Sequence, residues 1–574
     1  MNYSSADTIW VLSGTAMVFF MQAGFAMLET GFTRAKNAGN IIMKNLLDFC
    51  VSSLVFWIIG YSLMYGDGNA FAGKLSFFAG SDICNTRSIP PLVHILYATV
   101  FCGTSTTIVS GAMAERTKFK AYIAYTIVMS AIVFPIAGHW IWGGGWLSKL
   151  SIGNASGFID YAGSSLVHLI GGTAAYIGIS FLGPRIGKYG KDGKSRAIPG
   201  HSITLGALGI FILWFGWFGF SGCAGLTAEG DAAVTEISNV IFNTNLSAAS
   251  ATIASMIFTW IRYKKPDISM TLNGALGGLV AATAGCAYVS QGSSVIIGIV
   301  SGIITVISID FIDNVLKRDD PVGSVGVHGM NGLWGTLAVG LFSTKNGVFT
   351  TGEWDQFKIQ LIGCLAIIAW TCLIIIPAFV IIKKIFGIRV SRNDEITGLD
   401  ITEHGLSASY TDFAILSDQT ISQIPAHIEQ LDAENDKYTA AKTYADMSAT
   451  DIFKVTIICR QNKFDALKTC LDDIGITGIT VTQVLGYGTQ KGATQYYRGS
   501  AVESRLLPKV KVEVVVTKVP VQDVIRAARK ALYTGNIGDG KIFVTPVIDA
   551  VRVRTGVSGF DALQNDVIQD ESST

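Results

Sequence analysis

The sequence has little charge for its length, and its cysteines show no pairing pattern. Only 15% of the 574 residues are charged, whereas 50% are hydrophobic, a balance that an ordinary soluble protein of this length does not have. The net charge is +1 and no basic tract is present, so nucleic acid is not an expected partner. The nine cysteines lack C-x-x-C spacing, so neither a disulfide framework nor a metal site is predicted from them. We also find no nucleophile–base constellation and do not expect an enzyme.

The hydrophobic residues are concentrated in the first part of the chain, up to about residue 388. Apolar runs of about 18 or more residues are long enough to cross roughly 30 Å of hydrocarbon. No basic n-region precedes the first run, so we interpret it as a membrane span rather than a signal peptide. Eleven spans are predicted, near residues 8–29, 41–65, 93–114, 121–142, 161–183, 202–222, 238–261, 269–289, 294–316, 322–343 and 358–386.

Lysine and arginine are distributed unequally between the predicted loops. Loops that follow odd-numbered spans are rich in both residues, whereas loops that follow even-numbered spans contain only Lys74, Arg87, Lys149 and Lys345. Positively charged loops stay on the cytoplasmic side of a membrane. We therefore predict a multi-pass protein of the cell inner (plasma) membrane, with its amino terminus outside and its carboxyl-terminal region in the cytoplasm.

Two stretches of the apolar part resemble each other: DYAGSSLVHLIGG at 160–172 and DPVGSVGVHGMNG at 320–332. They open the fifth and tenth predicted spans, so each half holds five spans and the second half is inverted relative to the first, as in many transporters. At about 1.5 Å of rise per residue, each histidine lies about 12 Å from the aspartate that opens its stretch. Because those aspartates lie at opposite faces, His168 and His328 are predicted to approach each other near the midplane.

The matched histidines have two interpretations. A lone intramembrane histidine can be a structural residue that forms a hydrogen bond between helices. Two histidines at corresponding positions of an inverted repeat instead favour a functional site. Histidine suits a proton-handling pore because its unperturbed charge change falls near neutral pH. A neutral pair in contact could relay a proton or bind a small polar solute.

Several motifs in residues 1–410 resemble those of the ammonium transporter (Amt/Mep/Rh) family. They are AGFAMLETG at 23–31, GAMAER at 111–116, DYAGSSLVH at 160–168, GWFGF at 216–220, GVHGMNG at 326–332 and FGIRVSRNDEITGLDITEHG at 386–405. The resemblance implies a homotrimer in the lipid bilayer that conducts ammonium or ammonia, with one pore in each subunit.

The resemblance also implies a set of substrate and pore residues. They are Phe101, Trp142, Asp160, His168, Phe220 and His328. Trp142 and Phe101 would form an outer recruitment site, although an interfacial tryptophan is also typical of an aromatic belt. Phe101 and Phe220 would form a phenyl gate, and the two histidines would line the pore. In this mechanism ammonium loses a proton at the entrance, ammonia passes the apolar channel, and the proton crosses by way of the histidine pair.

The chain departs from the family pattern at two positions. Tyr97 stands where many members have a second phenylalanine, and Ala224 stands where a serine is usual after GWFGF. Loss of the hydroxyl at position 224 predicts weaker cation binding at the outer site.

The remainder of the chain is predicted to form a linker at 411–450 and a second domain at 451–574. Strand and helix patterns from 452 onward follow the order βαββαβ, which predicts an α+β ferredoxin-like fold. Glycine-containing loops at 486–506 and 534–541 lie near Lys541, Arg552 and Arg554. Backbone N–H groups together with cations suit phosphates, although ordinary hairpin loops with solvated charges show the same composition.

The second domain resembles PII signal-transduction proteins over about 452–563, which implies a trimeric regulator that binds ATP or ADP between subunits. The residues implied around the nucleotide are Gly478, Thr480, Gly488, Gly538, Gly540, Lys541, Arg552 and Arg554. Gln490 and Lys509 match positions that handle Mg²⁺ and 2-oxoglutarate, with Gln490 contacting the metal through ATP. Arg498 matches the loop arginine that blocks the cytoplasmic mouth of a pore.

Two departures from the PII pattern stand out, and two functions remain open. Thr489 replaces an arginine that is usual in this loop, and Val502 stands where many bacterial members carry a modified tyrosine. The first function is an ammonium transporter regulated by its own PII domain against the cytoplasmic pore face. The alternative is an ammonium sensor or receptor whose PII domain signals to other proteins.

Overall fold

The computed structural model describes residues 3–80, 88–405, 452–460, 463–476, 478–487, 495–497, 500–502, 506–533 and 539–563. The chain divides into two compact units, which are described separately below. The predicted linker at 411–450 lies outside the described residues, as do Gly488, Thr489, Gln490, Arg498 and Gly538.

The first unit is a helical bundle, in which nine of the described helices are long and apolar enough to cross a membrane. Its main helical segments are α1 (Ser5–Phe32), α2 (Ala35–Tyr65), α3 (Pro91–Ala112), α4 (Phe119–Ile141), α5 (Ser164–Leu182), α6 (Ile203–Gly222), α7 (Asp231–Tyr263), α8 (Ile268–Ala282), α9 (Gln291–Asn314), α10 (Val325–Met330 continued by Asn331–Phe342) and α11 (Asp355–Ile385). Segments α8 and α10 are the two that do not belong to the nine. Two short helices follow, α12 (Arg392–Thr397) and α13 (Leu399–His404).

Three smaller elements lie in the loops of this unit. A hairpin pairs Ser151–Ile152 with Ala155–Ser156, one short helix covers Leu147–Lys149, and another covers Val348–Thr351. All of them lie between segments α4 and α5 or between α10 and α11, so they close loops without adding a long helix.

Loops that follow odd-numbered helices contact one another. Arg185, after α5, forms ion pairs with Glu115, after α3, and with Asp319, after α9. Arg389, after α11, donates a hydrogen bond of 2.8 Å to the carbonyl oxygen of Pro184. The connections after α3, α5, α9 and α11 therefore meet on one face of the bundle.

A second group of contacts joins the chain start with loops that follow even-numbered helices. The backbone N–H of Ser4 donates to the carbonyl of Ser88, after α2, at 2.8 Å, and that of Thr344, after α10, donates to Tyr288, after α8, at 2.8 Å. Successive helices thus run between two groups of loops, as the chain of a polytopic membrane protein does.

The eighth segment is shorter than its sequence predicted. We expected a span over 269–289, but the helix ends at Ala282. The Ser164 hydroxyl donates to the carbonyl of Val280 at 2.7 Å and accepts from the N–H of Ala284 at 2.7 Å. These bonds occupy backbone groups at the helix end, where intrahelical partners are missing. The chain unwinds here because it packs on the start of α5.

The second unit combines a four-stranded antiparallel sheet with two helices. Its elements are β1 (Ile452–Arg460), α14 (Phe464–Asp472), β2 (Thr480–Tyr487), β3 (Leu506–Val516), α15 (Val521–Leu532) and β4 (Lys541–Val547), followed by a short helix at Gly559–Leu563. The strands are arranged in the order β2-β3-β1-β4. Buried positions alternate along β1, and Val455 and Ile457 pack with Leu471 and Val524 from the helices. The helices therefore share a core with the sheet.

The long loop predicted between β2 and β3 contains two short strands that the sequence analysis missed. Gln495–Tyr497 pairs with Ser500–Val502 as a separate two-stranded sheet. Strands of three residues are too short to show an alternation of polar and apolar side chains, so periodicity did not detect them.

Candidate functional site

The first matched stretch begins with an aspartate that caps α5. The buried Asp160 carboxylate accepts hydrogen bonds from the backbone N–H groups of Gly163, Ser165 and Leu166 at 2.9–3.1 Å. Burial raises the pKa of Asp160 to about 6, against these hydrogen bonds, which favour the carboxylate. Gly163 has a φ of +109°, a conformation that residues with a side chain rarely adopt. This turn starts a π-helical segment at Ser164–Leu169.

The second matched stretch repeats this geometry. The Asp320 carboxylate accepts hydrogen bonds from the N–H groups of Gly323 and Val325 at 2.9 and 2.8 Å. Gly323 has a φ of +85°, and a π-helical segment again follows, at Val325–Met330. The aspartate, the glycine and the histidine thus keep the same relation in both stretches.

The structure brings the two predicted histidines into contact. Nδ1 of His168 lies 3.2 Å from Nδ1 of His328, and the rings are stacked with a 17° angle between their planes. The helices approach closely because Gly172 packs on Gly329, where a Cβ would lie 2.2 Å from the backbone nitrogen. A neutral pair in this arrangement has one Nδ1 that donates and one that accepts.

The predicted outer aromatic residues lie next to one another. The ring centroids of Phe101 and Phe220 are 4.2 Å apart, and those of Phe101 and Trp142 are 5.9 Å apart. Tyr97 packs on Phe101 from one turn earlier, at 4.6 Å. The indole N–H of Trp142 donates to the carbonyl oxygen of Asp160 at 2.8 Å, which ties the outer aromatic group to the cap of α5.

The contact of Trp217 with the histidine pair was missed. Its ring stacks on His168 with centroids 5.1 Å apart and planes inclined by 15°, and its indole N–H donates to Thr283 at 3.0 Å. Its spacing of three residues from Phe220 on α6 places both rings on one helix face and could have indicated a shared role.

The region around Ala224 contains polar groups that the sequence analysis also missed. Ala224 is half-buried just after α6. Near its neighbour Gly225, the hydroxyl of Tyr161 donates to the carboxylate of Glu236 at 2.8 Å. Tyr161 and Glu236 therefore supply hydrogen-bonding groups close to the position where the family pattern has a serine hydroxyl.

Three charged side chains are buried within the predicted spans 8–29 and 41–65, where the sequence analysis assigned no function. They are Glu29, Lys44 and Asp48. The Asp48 carboxylate accepts from the hydroxyls of Thr107 and Tyr122 at 2.8 and 2.7 Å. A charged residue inside an apolar span is itself a signal of function, and it would have identified these positions.

A buried ion-pair network lies beside the second cap. Arg185 donates to Asp319 through two nitrogens, at 2.8 and 2.9 Å, and to Glu115 at 2.7 Å. Although burial favours the neutral acid, Arg34 and Arg185 lower the pKa of Glu115 to about 2. Asp319 directly precedes the cap residue Asp320, so the network holds the chain where α10 begins.

In the second unit, some of the predicted nucleotide residues lie together. Lys541 pairs with Ile458 across β4 and β1, and Lys509 pairs with Arg460 across β3 and β1. Gly540 has a φ of +131°, and a Cβ there would lie 2.3 Å from the carbonyl oxygen of Ile458. Only glycine fits so close to the strand. The three basic residues lie at the same end of the sheet, and such an arrangement of cations and backbone N–H groups suits phosphate.

Other predicted nucleotide residues lie apart from that end of the sheet. Thr480 pairs with Glu513 on β3, four residues from Lys509 and thus about 13 Å along the strand. Gly478 and Arg554 are exposed, and Arg552 donates to the carbonyl of Ala562 at 3.1 Å. One chain therefore does not gather the whole predicted set. Among the described residues there is no group of histidine, cysteine, aspartate or glutamate that could hold a metal ion.

Two family models match the chain. The Ammonium Transporter Family matches residues 9–409, and the family described as nitrogen regulatory protein P-II matches residues 452–557. Ammonium transporter Amt2 of Archaeoglobus fulgidus is 43% identical over 442 residues, which cover 74% of this chain and 91% of that protein. A putative ammonium transporter of Synechocystis is 40% identical and covers 70% of this chain and 88% of its own length.

Solved structures resemble the same part of the chain. The structure of a "Sensor Amt Protein" has a TM-score of 0.65 at 38% identity and covers 70% of this chain and 98% of its own. The crystal structure of Candida albicans Mep2 has a TM-score of 0.62 at 28% identity and covers 68% of this chain and 88% of its own.

Proposed function

Because the chain belongs to the Ammonium Transporter Family, we propose that its first unit takes up ammonium and conducts ammonia and a proton past the histidine pair. The observation that carries this proposal is the 3.2 Å contact between Nδ1 of His168 and Nδ1 of His328. Two imidazoles that share one hydrogen bond can pass a proton between them, and they offer a hydrated ion no charged partner.

The outer aromatic residues bind and desolvate ammonium before it reaches the histidine pair. Ammonium binds against the ring face of Trp142, since an aromatic face attracts a cation. The rings of Phe101 and Phe220, with centroids 4.2 Å apart, leave no room for a hydrated ion. Ammonium therefore sheds its water there and transfers a proton to the neutral imidazole of His168, next to Phe220. Ammonia then passes the apolar channel, and the proton moves from His168 to His328. The result is electrogenic uptake.

The proposed assembly is a homotrimer in the plasma membrane with eleven passages in each chain and the amino terminus outside. The two groups of loop contacts support an odd number of passages, because the chain start and the tail after α11 belong to different groups. The positively charged loops support a cytoplasmic location for the tail. The proposed domain limits are 1–410, 411–450 and 451–574.

The P-II family match at 452–557 supports a regulatory role for the second unit. We propose that it has a ferredoxin-like fold, senses ATP, ADP and 2-oxoglutarate, with Mg²⁺ on the nucleotide, and closes the pore of its own trimer through Arg498. The strand order β2-β3-β1-β4 supports the fold. Lys509, Gly540 and Lys541 support phosphate binding. When bound, the nucleotide supplies charge that orders the loop around Arg498 or releases it.

A second function has one observation in its favour. One solved structure, which is covered over 98% of its own length, is that of a "Sensor Amt Protein", so a protein of similar fold bears the name of a sensor. In that case our chain would detect ammonium and signal through its P-II unit to other proteins, with little ammonium current.

Currents in solid-supported membranes separate the two functions. Proteoliposomes of the full chain are expected to give an ammonium-induced current that changes with ATP, ADP or 2-oxoglutarate. A variant lacking 411–574 is expected to keep the current and lose its response to these ligands. A full chain and a truncated chain that both give no current would overturn transport. A current that ignores the ligands and the deletion would overturn regulation in cis and favour signalling to other proteins.

A further inference from the structure

A small cavity lies beside the histidine pair, among residues of α1, α3, α8 and α10. His328 forms part of its wall, together with Ser324, which directly precedes α10, and Glu29 and Asn273 from the neighbouring helices. Its volume is about 10 Å³, which is room for one molecule of the size of water. Ammonia and ammonium have the same number of heavy atoms as water and similar size, so any of the three fits.

Asn273 points to a ligand in this cavity. Its side chain is 1% exposed, and neither its Nδ2 nor its Oδ1 has a hydrogen-bond partner within the described part of the chain. Buried polar side chains almost always have partners in native proteins. An amide that lines a cavity of this size with both polar atoms unused indicates a bound molecule.

Glu29 provides a charged acceptor in the same cavity. Its side chain is buried, and the two recorded hydrogen bonds, from Asn45 at 3.2 Å and Ser110 at 2.9 Å, both reach Oε2. No hydrogen bond to Oε1 is formed by the residues that the structure describes. The nearby ammonium of Lys44 has no hydrogen-bond partner among those residues either and lies 5.4 Å from the ring centre of Tyr122. Oε1 is therefore available to a ligand.

The wall contains one charged acceptor in addition to neutral donors and acceptors. Glu29 Oε1, Asn273 Oδ1 and the Ser324 hydroxyl can accept hydrogen bonds, and Asn273 Nδ2 and the hydroxyl can donate. Water donates two hydrogen bonds, whereas ammonium donates four. A carboxylate also binds a charged donor more strongly than a neutral one. The Glu29 carboxylate therefore favours ammonium over water and ammonia.

We propose that this cavity is an inner ammonium site, in which Glu29, Asn273 and Ser324 hold the ion that forms after ammonia passes His328. The inference rests on the proposed transport function. A proton on a ring nitrogen of His328 moves to the nitrogen of ammonia: the imidazolium N–H bond breaks, an N–H bond of ammonium forms, and a neutral imidazole remains. Glu29 stabilises the product cation, so the equilibrium of the proton transfer favours ammonium.

Two variants of Glu29 test the site in proteoliposomes. Glu29→Gln keeps the shape and removes the charge, whereas Glu29→Asp keeps the charge. We expect the ammonium current of Glu29→Gln to fall about tenfold or more, the range for a lost hydrogen bond to a charged group. The aspartate variant is expected to recover part of the current. Stopped-flow measurement of internal pH, which reports passage of uncharged ammonia, should change much less than the current.

Asn273→Ala is a second test that breaks no recorded hydrogen bond. It is expected to lower the current severalfold, about half the effect of Glu29→Gln on a logarithmic scale, since the lost acceptor is neutral. Asp355→Asn serves as the matched control, because Asp355 pairs with Lys358 and does not line the cavity. Its current is expected to equal that of the unmodified chain.

The outcomes separate the site from the transport function itself. Glu29→Gln and Asn273→Ala with unchanged currents would mean that the cavity holds water only, and would overturn the inference. Equal loss of current and ammonia passage in both Glu29 variants, with normal elution on size exclusion, would assign Glu29 a structural role and also overturn it. No current from the unmodified chain would instead contradict the proposed function.

Discussion

The two matched halves have the same helix cap but different surroundings for their histidines. His168 is enclosed by aromatic rings, with Trp217 stacked on it and Phe220 at 5.6 Å. His328 faces a cavity with the polar groups of Glu29 and Asn273. The Asp-x-x-Gly turn sets the backbone of each half, whereas helices from elsewhere in the chain supply the neighbours. One local motif can thus place its histidine in two different surroundings.

Removal of both imidazoles eliminates the difference between the two histidine environments and has the largest expected effect on the ammonium current. His168→Ala combined with His328→Ala is expected to eliminate the ammonium-induced current, because the proton then has no titratable group at the centre of the channel. Solid-supported-membrane recordings measure this directly. His201→Ala is the control, since this histidine is bonded to Thr33 outside the helices. A double variant with full current would exclude the histidine relay.

The ion-pair network lies beside the second cap, and removal of one of its pairs tests how much it stabilises the protein there. Glu115→Gln breaks a buried pair with Arg185 and is expected to cost about 3 kcal/mol of stability at neutral pH. The lowered pKa of Glu115, about 2 against a usual 4.5, means that this stability is fully present above about pH 4.5. It is lost as the pH falls through about 2.

Thermal unfolding of the detergent-solubilised protein, followed by tryptophan fluorescence, checks both statements. The difference in melting temperature between the unmodified chain and Glu115→Gln should stay constant from pH 7 to about 5 and shrink at lower pH. A difference that grows on acidification would contradict the direction of the pKa shift. Lys358→Gln, which breaks an exposed pair, should leave the melting temperature unchanged within error.

Substitution of the two cap glycines has the smallest expected effect, and it compares the stability of the two caps directly. Gly163→Ala and Gly323→Ala each force a side chain into a left-handed conformation, at about 1–2 kcal/mol. The new Cβ would also lie 2.9 Å from Val167 or from Ile309, respectively. Similar losses of thermal stability are expected in both variants. Gly292→Ala is the control, because nothing lies within 4 Å of a Cβ there, and unequal losses at the two caps would show that the halves are not energetically equivalent.

Features that depend on local sequence could be predicted before the structure was known. The apolar runs located the long helices, and the repeated aspartate, glycine and histidine located the pair of imidazoles. The strand pattern after residue 452 predicted the order of the long strands and helices there, although the short strands Gln495–Tyr497 and Ser500–Val502 were missed. The eighth span was wrong at its end, because Ser164 from another helix satisfies the backbone where α8 stops.

The surroundings of the histidines could not be predicted in the same way. Trp217 and Asn273 were not predicted as site residues, since a tryptophan or an asparagine in an apolar helix has many possible partners. Their roles depend on distances between α5, α6, α8 and α10, which no local pattern encodes.

The amino-acid sequence by itself determined that the first unit is a polytopic helical membrane domain, and that the same aspartate, glycine and histidine pattern opens two of its helical segments. The first property follows from apolar length and the second from the local repeat. The tertiary structure decided that the two Nδ1 atoms meet, that Trp217 covers one ring, and that Glu29 and Asn273 line a cavity beside the other. Those contacts depend on close packing between distant segments, where glycines such as Gly172 let two backbones approach within van der Waals distance.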